Sequence, residues 1–479
     1  MSSAATAQPR RDWEYVEGWG MSSGAAARVI RPRSIEELQV ALEEARRSGV
    51  SLAPRGTGCS YGDASTLADG WVLDLTRMNK VLAFDPLSGV LEAEAGLSIR
   101  GAWQHVLPHG WWPYVVSGTM HPTLAGAAAM NIHGKNNYRV GTFGDHVLEF
   151  DLVLPSGELR TASREENPDL FHAAIGGFGM LGLFSRIVMD TKRVHSGLME
   201  VRGVSTHDLD EMMAVFDAEQ AAADYLVGWI DCFPGGDRSG RGLVHVGRNL
   251  GPGEDTDSEA TLDLSAQSLP ENILGVIPKS EVWRALRLFN HDPGMRLVNA
   301  VKYLAGRLEG MKDPYLQSHA AFHFLLDFVP NWKWAYGRRG RRGLIQYQVF
   351  LPKETARATL EELLERCRAR DHVSYLGVLK RHRPDPFWLT HSLDGWSLAL
   401  DFKVDDARRA SLWEHCHDLT ELVLSAGGKY YFAKDSVLRS EDASRFLPAD
   451  KLSAFKALKA ELDPAGMLTT DLSRRLFPD

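Results

Sequence analysis

Apolar and polar positions alternate along this chain in two different rhythms. After Ser34, a helix-capping residue type, come the acidic pair Glu36 and Glu37. The apolar positions Leu38, Leu42 and Ala45 then recur at helical spacing, which predicts a helix. Ser51 to Ala53 and Trp71 to Leu75 are short apolar runs bounded by turn residues and read as strands. Val81 to Glu94 alternates like a hairpin around Pro86-Leu87-Ser88-Gly89. A strand over 148–154, a helix over 168–174 and a strand over 184–189 follow, so residues 1–195 read as one mixed α+β domain. From 196 the pattern changes. Segments 226–231, 243–246, 345–351 and 398–404 read as strands with helices between them, predicting a sheet-and-helix second domain over 196–410. Gly251 to Asp263 is acidic and turn-rich and reads as an exposed loop. A helix over 408–425 leads into the C-terminal segment, 411–479.

Length supports two domains, since 479 residues are many for a single core. A formal charge of −8 argues against nucleic acid as a partner. Four cysteines, Cys59, Cys232, Cys367 and Cys416, are scattered without C-x-x-C spacing, so neither a disulfide framework nor a metal site is expected. Residues 1–11 are small and polar, and no apolar run follows to make a signal peptide. Between Gly101 and Gly134 there is no Asp, Glu, Lys or Arg. Pro108, Pro113, Pro122, His105, His109, His121 and Asn131 rule out a lipid-exposed span there. The expectation is a soluble, cytoplasmic protein with no transmembrane segment, peripheral contact with a membrane staying open.

That charge-free run gains meaning beside Pro54-Arg55-Gly56-Thr57-Gly58-Cys59-Ser60-Tyr61-Gly62-Asp63. A glycine-rich loop brings backbone N–H groups close to phosphate. A neutral stretch of small residues can lie against a large planar ligand without burying a charge. Together they suggest a dinucleotide cofactor. A Rossmann fold does not fit, because the third glycine of the loop falls one residue late and no helix follows it. The literal G-x-G-x-x-G at Gly177 to Gly182 follows a helix and enters a strand, the reverse of the order that places phosphates at a helix N-terminus. It reads as a tight turn against the cofactor.

Arg55 to Asp63, Ser117-Gly118-Thr119 with Thr123-Leu-Ala-Gly126, and Ile132-His133-Gly134-Lys135-Asn136 resemble the FAD-binding motifs of the vanillyl-alcohol-oxidase (PCMH-type) flavoproteins. Gly18-Trp19-Gly20, Gln346-Tyr347-Gln348, Gly395-Trp396 with Asp401-Phe402, and Tyr431 to Ser436 extend the likeness nearly end to end. Within that family they resemble the FAD subunits of decaprenylphosphoryl-ribose 2-epimerase, which are sugar 2′-oxidases. The resemblance implies a two-domain α+β fold, a PCMH-type FAD-binding domain with a substrate-binding cap, and a C-terminal segment returning to the active site. It implies cofactor contacts at Arg55, Gly56, Thr57, Gly58, Cys59, Ser60, Tyr61, Gly62 and Asp63. Further contacts are implied at Gly118, Thr119, Thr123, Gly126, His133, Gly134, Asn136, Gly182, Leu183 and Tyr431. Lys434, Tyr431 and His133 become catalytic candidates, and Lys135, Gln346, Gln348 and Lys434 substrate contacts.

Blander readings stand beside these. Lys135 could solvate a loop, and His133 could be a structural histidine. Gln346 and Gln348 share one face of a strand, which lines a pocket or meets water. Cys59 occupies the place of the histidine that commonly bonds the flavin in relatives with covalent FAD, so non-covalent FAD is expected. Ala399 stands where the epimerase subunit has a pocket cysteine, which weakens any claim to the same substrate. Arg338-Arg339-Gly340-Arg341-Arg342 reads as a solvated turn, with a phosphorylated substrate or an anionic membrane as the alternative.

The expected activity is FAD-dependent removal of hydride from a secondary alcohol carbon on a sugar or sugar-like substrate, with a phosphorylated or lipid-linked one staying open. Oxidation of an alditol, a lactone or a secondary-metabolite bond is the alternative. So is service as the oxidising half of a two-component epimerase with an NAD(P)H-dependent reductase partner.

Overall fold

The computed structural model describes residues 13–269, 271–273, 277–310, 314–337 and 343–478. The Ser34 hydroxyl accepts a hydrogen bond from the Glu37 N–H and opens the helix Ile35–Ser48, which buries Leu38, Ala41, Leu42 and Ala45. The strands around it form a four-stranded sheet ordered Trp13–Glu17, Gly24–Ile30, Trp71–Asp74, Leu52–Arg55. The first pair is antiparallel; Gly24–Ile30 and Leu52–Arg55 both run parallel to Trp71–Asp74. A second, antiparallel sheet is ordered Val81–Phe84, Leu91–Glu94, Leu183–Met189, Val147–Val153, Leu159–Ser163. The charge-free run threads this domain's interior. It forms the helices Ile99–Val106 and Leu124–Ala129 and buries Trp103, Trp112, Val115 and Val116. An ionised side chain there would lose its hydration without a partner, which accounts for the run's composition.

After Leu183–Met189 the chain enters an eight-stranded sheet, ordered Tyr315–Ser318, Leu198–Thr206, Gly242–Asn249, Tyr225–Ile230, Gly377–His382, Gly395–Val404, Gly343–Pro352, Lys429–Tyr430. Its pairings are antiparallel. Helices Leu209–Glu219, Lys353–Ala369 and Arg409–Ser425 pack on it. Register then decides which residues share its other face. Gln348 stands opposite Ala399, Ala399 opposite Val378 and Val378 opposite Trp229. One row of side chains therefore crosses four strands and faces the first domain.

The acidic stretch after Gly251 is less loop-like than its composition predicts. It contains the short helix Ser258–Leu262, and Asp255 accepts hydrogen bonds from Ser196 and Thr261. The C-terminal segment adds Lys429–Tyr430 to the large sheet and then returns to the first domain. Tyr61 N–H donates to the Ala433 carbonyl at 2.8 Å, and Leu468 bridges Leu52. Arg475 closes the return with Asp63 (2.8 Å) and Asp435 (2.8 Å). The basic cluster 338–342 lies outside the described residues.

Candidate active site

Between the first domain and the inner face of the large sheet lies a cavity of about 420 Å³. Its floor is the loop Pro54 to Tyr61. The Arg55 guanidinium holds this loop by donating to the Ser65 carbonyl and hydroxyl (3.1 Å each) and to the Glu17 carbonyl (2.9 Å). Gly58 has φ +71°, and a Cβ there would lie 2.1 Å from Arg55 Nη2, so both backbone and neighbour require glycine. The N–H groups of Thr57, Gly58, Cys59 and Ser60 find no acceptor among the described residues. Four consecutive unpartnered donors on a cavity wall form an anion cradle. The residues thus fit the pyrophosphate of a dinucleotide. The charge-free run supplies Val116 to Thr119, Ala125, Gly126, Ala129 and Met130 as an uncharged flank, and the turn through Gly179, Gly182 and Leu183 closes another side.

The wall carries Arg55, Lys135, Lys302, Lys380 and Lys434 and, among the described residues, no Asp or Glu. Since Arg55 is committed to its loop, four lysines remain. Lys380 is pushed down to about 8 by burial. Lys135 falls to about 7, through burial and then the charge of Lys380; its ammonium donates to the Phe322 carbonyl and lies 4.2 Å from that ring's centroid. Lys302 is accessible along its stem, but its ammonium sits 4.3 Å from the Trp229 ring centroid in a mostly protein surrounding, which lowers it to about 8. Lys434 lies 3.9 Å from the Tyr61 ring centroid; burial lowers its pKa and the Asp401 carboxylate opposes that. Asp401, fully buried behind the wall, accepts from the Gln346 amide at 2.6 Å, and its second oxygen has no partner. Burial raises its pKa, and the Gln346 bond and Lys434 pull the other way.

His133 meets the Gln348 amide through Nε2 at 3.0 Å, while its Nδ1 is buried without a partner. With Gln348 as donor, the proton sits on Nδ1. Burial first, then Lys380 and the neighbouring imidazoles of His382 and His391, hold the pKa of His133 well below the ordinary histidine value. The ring is therefore a neutral hydrogen-bond donor, and base catalysis does not suit it. Tyr431 is buried beside it, ring centroids 5.4 Å apart; burial raises its pKa, so it stays protonated.

Most sequence-predicted site residues meet on this wall. Gly56, Thr57, Cys59, Ser60, Tyr61, Gly118, Thr119, Thr123, Gly126, His133, Gly134, Lys135, Gly182, Leu183, Gln346, Gln348, Tyr431 and Lys434 all line it. Three threonine hydroxyls are already engaged. Thr57 donates to the His121 carbonyl (2.8 Å). Thr119 donates to Asp327 (2.7 Å), and Thr123 caps the helix Leu124–Ala129 by accepting from the Gly126 N–H (3.0 Å). Three predicted contacts stand off the wall. A Cβ at Gly62 would lie 2.1 Å from the Asp435 carbonyl oxygen, so this glycine serves the close approach of the C-terminal segment. Asp63 binds Arg475, and the Asn136 amide donates to the Tyr114 carbonyl at 2.8 Å. Sequence reasoning missed Lys302, Lys380, His245 and His323 on the wall and Asp401 behind it. Lys380 lies two residues from Val378 on an interior strand, a spacing that shows they share a face but not which face is inside.

Comparison with known proteins bears on the cofactor. Residues 26–163 match the FAD binding domain family. Over 468 residues the chain is 28% identical to decaprenylphosphoryl-beta-D-ribose oxidase of Mycolicibacterium smegmatis, covering 96% of each protein. It is 29% identical over 381 residues to an uncharacterized protein of Streptomyces coelicolor, covering 78% of this chain and 97% of that one. It is 27% identical over 204 residues to D-arabinono-1,4-lactone oxidase of Yarrowia lipolytica, covering 42% of this chain and 38% of that enzyme. With the N–H cradle and the uncharged flank, these likenesses indicate an FAD-dependent oxidoreductase whose residues 26–163 are similar to the FAD binding domain family.

Proposed function

We propose that this enzyme oxidises a secondary alcohol on a sugar or sugar-like substrate bearing a phosphate or phosphodiester, with FAD held non-covalently. The observation that carries the reading is the wall of four lysines without a carboxylate. Buried ammonium groups whose pKa is lowered by desolvation recover stabilisation when an anion arrives. The FAD pyrophosphate already has the N–H cradle at Thr57 to Ser60, which leaves the four lysines for substrate. The name of the Mycolicibacterium relative, a phosphoryl sugar oxidase, agrees with such a ligand.

When bound, FAD supplies the acceptor for the hydride that leaves the carbinol carbon. The hydroxyl proton is lost to solvent, Lys434 stabilises the negative charge this leaves on the substrate oxygen, and Asp401 keeps that ammonium charged. Tyr431, protonated, donates a hydrogen bond to the same oxygen. His133 lies on the cavity wall as a neutral ring, its orientation fixed by Gln348. Cys59, whose thiol is pushed up mainly by burial, is a poor thiolate and fits a flavin without a covalent tether.

Anaerobic flavin reduction with matched sugar alcohols, with and without a phosphate group, tests the reading. The phosphorylated member should bind at least about tenfold more tightly, and Lys380→Met should erase that preference. Equal reduction by both members, unchanged in Lys380→Met, would mean that the lysines do not recognise substrate.

A further inference from the structure

Helix Asp292–Glu309 packs inward through Met295, Asn299 and Gly306, and Lys302 on its flank reaches the cavity wall. On the side opposite those packing positions lie Leu297, Val301, Leu304 and Leu308, spaced 4, 3 and 4 residues apart. They are 56%, 58%, 57% and 58% exposed. The preceding helix, Val282–Phe289, ends in Leu288 and Phe289, which are also exposed. Exposed apolar residues gathered on one face mark an interaction site rather than ordinary surface scatter.

Charge around this surface is mostly basic. Arg284, Arg287 and Arg307 are exposed on the same two helices, with Arg296 beside them over the Phe233 ring. Among the described side chains of this region, Glu281 pairs with Arg284 and Asp292 accepts from the Tyr375 hydroxyl. The whole chain carries a charge of −8, so this basic rim is not a reflection of its composition. We infer that this face docks on an anionic lipid surface, with the leucine stripe among the acyl chains and the arginines at the headgroups. An aliphatic stripe rimmed by arginine fits an interfacial helix better than a protein interface, where aromatic anchors dominate. Among the described residues no helix is long and apolar enough to cross a membrane, so the contact is peripheral. Leu325, half exposed, and Leu326 line the cavity, so an apolar approach exists there as well. The docking surface stands whatever the cavity oxidises.

Sedimentation of the FAD-loaded full chain with vesicles tests this directly. Vesicles of phosphatidylcholine with phosphatidylglycerol should bind it about tenfold more tightly than phosphatidylcholine alone, and added salt should erase the difference. Replacing Leu297, Val301, Leu304 and Leu308 together by Gln should abolish binding while FAD content is kept. Should that variant lose its FAD, the single change Leu304→Glu, which puts one carboxylate in the stripe, must still weaken binding about tenfold. Arg287→Gln with Arg307→Gln should remove only the salt-sensitive part. No binding of the wild-type chain to either vesicle, or equal binding by Leu304→Glu, overturns the inference. It is equally overturned if the stripe variants convert a wild-type dimer to a monomer and vesicles bind neither, which would make the face an interface between copies.

Discussion

Replacing Asp401 by Asn would remove one charge from the pair that sets the state of Lys434. Asp401 is wholly buried, and the Gln346 amide can still reach an Asn oxygen at the position now 2.6 Å away. Packing is therefore kept. The second carboxylate oxygen has no partner now, and an amide NH₂ there would be an unmet donor costing about 1–3 kcal/mol of stability. The effect on Lys434 is larger in kind. An opposite charge at close range holds a cation's pKa up by about 1–3 units, or about 1.4–4 kcal/mol. Burial already lowers Lys434, so loss of Asp401 lowers it further.

The sign follows from the role given to the ammonium. The rate of anaerobic flavin reduction falls as pH rises through the pKa of Lys434, at a pH well below that of a free lysine. In Asp401→Asn this alkaline limb should move down by about 1–3 pH units, and above both limbs a shift of two units lowers the rate about 100-fold. Stopped-flow measurement of the reduction rate across pH, at saturating substrate, reads the shift. An unmoved limb, or a rate that rises with pH, would refute the reasoning and make neutral Lys434 a base.

Three further outcomes follow from the geometry. Gly62→Ala drives a Cβ to 2.1 Å from the Asp435 carbonyl and should cost about 1–3 kcal/mol of stability, read as a lower melting temperature; unchanged melting would contradict that close approach. Arg475→Met strands the carboxylates of Asp63 and Asp435 and should cost about 3–5 kcal/mol, while the turnover of whatever remains folded and FAD-loaded stays near wild type. Acid precipitation should release yellow flavin into the supernatant from both the wild type and Cys59→Ser, and colour retained only in the wild-type pellet would reveal a thioether.

Asp63 shows how far a motif can be read. Its position beside the glycine loop suggested a cofactor contact, but its partner Arg475 lies 412 residues away and no local pattern announces it. Gly62 likewise belongs to the meeting of two distant segments. Asp401 was hidden for a related reason, since its importance depends on Lys434, which belongs to a different element and reaches it only in the fold.

The sequence by itself determined the local pieces: the capped helix after Ser34, the glycine loop, the uncharged run and the alternating strands. Each depends on backbone propensity, glycine freedom or the cost of burying charge, which act over a few residues. It also placed Gln346 and Gln348 on a common face. Only the tertiary structure decided that this face turns inward, because antiparallel register aligns Gln348, Ala399, Val378 and Trp229 in one row. Lys135, Lys302, Lys380 and Lys434, far apart in the chain, become one wall because a loop, a helix, a strand and the C-terminal return converge on the cavity. Electrostatics depends on distance in space and on the exclusion of water, and both are set by packing, not by position along the chain.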